Sequence, residues 1–139
     1  MPKPDLGDAV LLDTHVMLWW QAGSERLSSR ASSRIEHARR LLVSPISFWE
    51  VAMLVQKGRI GLDRATGAWA GDFVAEDRVE VADLTPAVAV AAAELADFHG
   101  DPADRIIVAT ARSQGVTLLT KDDRIRTYAR ASGTISVVW

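Results

Sequence analysis

Ala9-Val10-Leu11-Leu12-Asp13-Thr14-His15 is the stretch on which the fold turns. Four consecutive apolar residues, too few for a helix and closed by a polar triplet, read as a buried strand. Asp13 then stands just past the carboxyl end of that strand. Val16 to Trp20 continue into a helix, which Gly23-Ser24 breaks.

The same alternation recurs along the chain. Ser28 to Arg40 reads as an exposed, arginine-rich helix whose narrow apolar stripe is Ala31, Ile35 and Ala38. Leu41-Leu42-Val43 is a second buried strand. Ser44-Pro45 follows at once, a hydroxyl cap with proline at the first helical position, opening a helix to about Lys57 that Gly58 ends. After a connection at Gly61 to Arg64, Ala65 to Phe73 reads as a short helix, and Val79-Glu80-Val81 alternates like an edge strand. Thr85-Pro86 opens an alanine-rich helix expected to reach about Phe98. Asp101-Pro102 opens another, to about Gln114, stopped by Gly115. Val116 to Leu119 is a buried strand, a helix starts at Asp122 or Asp123, and Ile135 to Val138 reads as the last strand. Strands separated by helices predict an α/β fold with a mostly parallel central sheet flanked by helices on both faces. With no repeat or long linker, residues 1–139 read as a single domain.

Composition narrows the function classes. The hydrophobic share of 48% fills one principal core, and no apolar stretch approaches a membrane-spanning length. With no signal-peptide pattern at the start, cytoplasmic localisation and no membrane partner are the expectations. The absence of cysteine excludes disulfides and thiolate metal ligands. A formal charge of −2 argues against an extended, non-specific duplex-DNA binder, which gains affinity from many phosphate contacts. Only three of the 16 basic residues are lysine, so 13 are arginine. Arginine forks suit phosphate and carboxylate alike.

Four acids stand where a parallel sheet gathers them at one edge: Asp13, Glu50, Asp104 and Asp122. Carboxylates brought together without positive charge share protons or hold a divalent cation. Each also has a plainer reading. Asp13 suits a helix cap, and Ser47 with Glu50 has capping-box spacing. The better start at Ser44-Pro45 puts Glu50 nearly two turns inside the helix, on one face with Ser47 and Leu54. In Asp101-Pro102-Ala103-Asp104, Asp101 takes the cap and Asp104 the third helical position, where the positive helix end favours a carboxylate. Asp122 ends Thr120-Lys121-Asp122-Asp123, while Asp123 caps or faces solvent. His15 and His99 border a cleft or pack as ordinary histidines. A phosphatase using an aspartyl nucleophile needs a second aspartate where His15 stands, and a dinucleotide site needs glycines after the first strand.

With these motifs in order, the chain resembles a PIN-domain ribonuclease, of the VapC toxin family of bacterial toxin–antitoxin pairs. The resemblance is carried by Leu11-Leu12-Asp13-Thr14-His15 with Leu18-Trp19-Trp20, and by Ser44-Pro45 through Glu50 with Lys57-Gly58-Arg59-Ile60. His99-Gly100-Asp101-Pro102-Ala103-Asp104-Arg105 and Leu118-Leu119-Thr120-Lys121-Asp122 complete it. It implies a three-layer domain, with Asp13, Glu50 and Asp104 as principal metal-binding acids and Asp122 as the fourth. It also implies a small hydroxyl residue, Thr120, beside the pocket, and Arg105 after the third acid; Ser47 is a further supporting candidate. Hydrolysis of RNA with Mg²⁺ (Mn²⁺ as the substitute), homodimerisation and inhibition by a VapB-like antitoxin follow from the resemblance. On this reading Arg105 or Lys121 meets charge developing at phosphorus, and Trp19, Trp20, Trp69 and Phe73 serve an interface or the core. The competing classes are a metal-dependent DNA nuclease or phosphatase using the same acids, and a non-enzymatic α/β binding module.

Overall fold

Strand β1 (Ala9–Leu12) is buried along its whole length, and its side chains divide between two cores. Val10 and Leu12 join one apolar cluster, Ala9 and Leu11 the other, as the two-residue period of a strand requires. The computed structural model describes residues 9–139. After β1 come α1 (Thr14–Gln21), α2 (Ser29–His37), β2 (Arg40–Val43), α3 (Pro45–Gln56), α4 (Thr66–Val74) and β3 (Val79–Val81). They are followed by α5 (Pro86–Ala93), α6 (Pro102–Gln114), β4 (Thr117–Leu119), α7 (Asp123–Ser132) and β5 (Val137–Val138). The strands form one sheet in the order β3-β2-β1-β4-β5. Every pairing is parallel.

Helices cover both faces. Val16, Met17, Ile35, Val51, Trp69 and Phe73, from α1 to α4, pack on Val10, Leu12, Leu41 and Val43. Ile107, Val108 and Ala111 of α6, with Ile125 and Tyr128 of α7, pack on Leu11, Leu42 and Leu118. Helix α5 lies outside α6, with Val88 and Ala92 against Ala109. The expected three-layer, parallel α/β architecture is therefore the observed one.

Capping explains most boundaries. The side chains of Ser28, Ser44, Thr85, Asp101 and Asp122 accept backbone N–H groups at the starts of α2, α3, α5, α6 and α7. Two helices stop earlier than their sequence suggests, and each time an arginine collects the freed carbonyls. Helix α2 ends at His37 rather than Arg40: Ala38 turns extended, and the Arg78 guanidinium donates to the carbonyls of Ile35 and Ala38, both at 2.7 Å. Helix α5 ends at Ala93 rather than near Phe98, and its last carbonyls go to Arg105. The last strand is also shorter than expected, at Val137–Val138.

Candidate metal centre

The order β2-β1-β4 sends the connections after β1 and β4 to opposite faces, and parallel sheets open a crevice at such a switch point. Leu12 is in register with Leu119, so the residues that follow them, Asp13 and Thr120, emerge side by side. The Thr120 hydroxyl donates to Asp13 Oδ2 at 2.5 Å and accepts the Asp122 amide at 3.0 Å. The other Asp13 oxygen accepts the Thr14 amide at 2.8 Å. Asp13, Thr14 and Thr120 are all buried, so this carboxylate is fixed in place.

Helix α3 brings Glu50. It starts at Ser44, whose hydroxyl accepts the Ile46 amide, so Glu50 lies inside the helix rather than in a capping box. Ser47, one turn earlier, is fully buried and accepts the Thr14 hydroxyl at 3.0 Å. This bond ties α3 to the start of α1 and sets Glu50 beside Asp13.

Helix α6 brings Asp104 through an arrangement that local sequence does not reveal. Asp101 caps the helix, accepting the Asp104 amide at 3.2 Å, and its own amide donates to His99 Nδ1 at 3.3 Å. With Nδ1 accepting, the neutral ring carries its proton on Nε2. That atom stands 3.2 Å from Asp104 Oδ2, out of line for a hydrogen bond, and is buried without a hydrogen-bond partner among the described residues. Arg105 does not face the acids. Its Nε donates to Ala92, one terminal nitrogen to Phe98 and His99, and the other to Ala93 and Leu95, all carbonyls at 2.8 to 3.0 Å. A guanidinium has five N–H groups, and all five are engaged. Arg105 thus clamps the segment that carries His99 and Asp101, and no donor remains for a phosphate.

Asp122 caps α7 through the Ile125 amide at 3.0 Å. Asp123 faces solvent, 93% exposed, against Arg126. Asp13, Glu50, Asp104 and Asp122 line one open cleft of about 490 Å³ together with Asp101, His15, Trp19, Arg26, Lys121 and Arg124. Burial pushes the Asp104 carboxyl up to about 8, reinforced by the charges of Asp13, Asp101, Asp122 and Glu50. Burial also raises Asp13, against bonds from Thr120 and Thr14. Glu50 rises for the same first reason, opposed by Thr14 and reinforced by Asp13 and Asp101. Crowded carboxylates with raised proton affinities are what a hard divalent cation relieves. His99, Asp104 and Asp122 offer ligand atoms within 4.8 Å of one another, a cluster compatible with metal binding in which the carboxylate oxygens are the donors while His99 Nε2 keeps its proton. Oxygen donors dominate, which suits Mg²⁺ or Mn²⁺.

Residues 10–131 match the model of the PIN domain family. The chain is also 45% identical over 120 residues, 86% of its length and 91% of the relative's, to Ribonuclease VapC22 of Mycobacterium tuberculosis. It belongs to the PIN-domain family. Solved structures agree on the fold. VapBC2 from Rickettsia felis, crystallised with a DNA fragment from its promoter, superposes with a TM-score of 0.66 at 14% identity, over 94% of this chain and 97% of that one. A toxin–antitoxin complex from Klebsiella pneumoniae gives 0.64 at 17% identity, over 94% and 96%.

This PIN domain is therefore VapC-like, and the family supports metal-dependent nuclease activity in general. The four acids expected from the sequence meet at one cleft, with Thr120 and Ser47 behind them. Arg105 stands apart from it. Asp101, Trp19, Arg26 and Arg124 are cleft residues that the sequence does not mark, and His99 stands beside Asp104. Asp101 was hidden by its own cap, which fully explains an aspartate before proline. The histidine two residues before that cap was the available signal.

Proposed function

We propose that this PIN domain, acting as one domain over residues 1–139, is a Mg²⁺-dependent endoribonuclease toxin of the cytoplasm, with Mn²⁺ as a substitute ion. The observation that carries the reading is the convergence of Asp13, Glu50, Asp104 and Asp122 on one cleft with too little positive charge to neutralise them. The name of the 45% identical relative, a ribonuclease, supports RNA as substrate.

Asp13, Glu50 and Asp104 are the residues that would hold the cation, with Asp122 at the fourth acidic position. The chemistry supplied there by a bound cation would be a lowered pKa of water and polarisation of a phosphate oxygen. Thr120 and the Thr14 amide orient Asp13 so that its carboxylate needs no rearrangement. Asp104 must give up its proton to become a ligand. His99 Nε2–H, beside Asp104 and without a hydrogen-bond partner among the described residues, is left to donate to a water there. Phosphate charge is met by the exposed cations of the rim, Lys121, Arg26 and Arg124, and not by Arg105.

We further infer a homodimer bound by a VapB-like antitoxin, supported by solved relatives described as toxin–antitoxin assemblies. An antitoxin arginine or lysine entering the cleft neutralises the carboxylates as a cation does, which gives inhibition an electrostatic cause. Among the described residues no helix is long and apolar enough to cross a membrane.

The test incubates the antitoxin-free protein with defined RNAs and DNAs in Mg²⁺, with an EDTA control. RNA is expected to be cut and EDTA to stop it. Metal-dependent cutting of DNA but of no RNA overturns the ribonuclease reading. Co-expression with the neighbouring gene product, followed by light scattering, tests the assembly; a strictly monomeric chain that retains no partner overturns that part alone.

A further inference from the structure

The acid cleft continues onto aromatic and basic side chains that metal binding does not use. Trp19 lines the cleft and is only partly buried. Its ring lies 5.7 Å from that of His15 at 45°, and 5.7 Å from that of Trp139 at 52°. Lys121 Nζ stands over the indole, 5.8 Å from its centroid. His15 and Lys121 are exposed, as are Arg26 and Arg124 on the same cleft. None of these three cations has an ion-pair partner among the described residues.

We propose that Trp19, buttressed by Trp139 and flanked by His15, is a stacking platform for one unpaired nucleobase beside the scissile phosphate, with Lys121, Arg26 and Arg124 receiving the flanking phosphates. The inference rests on the ribonuclease reading above. An indole held by two tilted rings is pre-oriented, so little conformational freedom is lost when a base lies on it. The Lys121 contact is at the outer limit of cation–π attraction. Its flexible stem lets the ammonium move to a phosphate as the base arrives.

The charge arrangement favours the same occupant. Five acids at the floor of the cleft repel a polyanion, and the three rim cations, without an ion-pair partner among the described residues, reverse that sign where the backbone passes. Bases paired in a duplex do not present a free face, so the platform selects single-stranded RNA, loops or bulges.

The test uses a labelled, unstructured oligoribonucleotide that the wild-type protein cuts at one site, and versions with an abasic nucleotide at each position flanking the cut. Trp19→Ala is expected to raise KM about 10-fold or more, the scale of losing one base–aromatic stack, with kcat within about twofold because the stack is equal in ground and transition states. The Mg²⁺ half-saturation should not move, and Trp19→Phe should keep most of the affinity. An abasic nucleotide at one flanking position should cost the wild type the same factor and cost Trp19→Ala nothing further.

Normal cutting by Trp19→Ala overturns the proposal alone. So does multiplication of the two losses, which shows that they are independent. Loss of kcat, Mg²⁺ response and melting temperature together in both variants overturns it in favour of simple packing. Unchanged RNA kinetics with loss of a co-purifying protein assigns the surface to that protein instead. A wild type that cuts no RNA in Mg²⁺ overturns the ribonuclease reading, and this one with it.

Discussion

Thr120 and Asp13, 107 residues apart, are joined by a 2.5 Å hydrogen bond at the end of adjacent parallel strands. Because the Thr120 oxygen also accepts the Asp122 amide, its hydrogen is directed toward the carboxylate. One hydroxyl therefore couples the first acid to the loop of the fourth. Thr120→Val keeps the volume and removes the bond, and activity is expected to fall about 10- to 100-fold, the usual cost of losing support behind a metal ligand. Thr120→Ser should restore most of it. Full activity in Thr120→Val with a loss in Thr120→Ser would point to the methyl group rather than the hydroxyl.

The two neighbouring aspartates of α7 should separate cleanly. Asp122 lines the cleft while capping the helix, whereas Asp123 faces solvent against Arg126. Asp122→Asn, which still caps, is expected to lower the cleavage rate at least about 10-fold at saturating Mg²⁺ if it supports the ion or its water. Asp123→Asn should stay within about twofold, as surface changes do. Similar large losses from both would show that the fourth acid is misassigned.

Arg105 offers a sharper contrast between stability and chemistry. Its five donors hold five carbonyls between Ala92 and His99. A lysine keeps the charge but has three donors on one nitrogen and cannot span them. Arg105→Lys is expected to destabilise the fold by roughly 2–4 kcal/mol in urea unfolding, because buried carbonyls lose their partners. Were Arg105 a phosphate contact, the variant would unfold like the wild type while KM for RNA rose.

Proton linkage at Asp104 predicts how the metal-free protein responds to pH. Its carboxyl, ordinarily near 3.8, is pushed up to about 8. Between those values the unfolded chain has released a proton that the folded one keeps, so folding stability must fall as pH rises. The melting temperature should decline from about pH 4 to about pH 8, with a smaller slope in Asp104→Asn. Added Mg²⁺ competes with that proton, so its stabilising effect should grow over the same range. Identical slopes in wild type and Asp104→Asn would remove Asp104 as the source.

Much of the fold was legible because its signals are local. Short apolar runs mark β1, β2 and β4, and hydroxyl–proline or aspartate–proline pairs mark the starts of α3, α5 and α6. A residue just past a parallel strand lies at the sheet's carboxyl edge whatever its neighbours, so Asp13 and Thr120 were candidates from sequence alone.

Strand order was decided by packing. Only the pairing of β1 with β4 sets Asp13 against Thr120, and no signal within one strand names its neighbour. The same limit applies to long side chains. Arg78 and Arg105 reach carbonyls 7 to 43 residues away apart from the nearest contact to His99, and so end helices whose own sequences would carry them further. Sequence alone determined which elements form and which acids meet at the sheet edge. Tertiary structure decided what stands around those acids: Trp19, for one, takes Lys121 and Trp139 as neighbours from the far end of the chain.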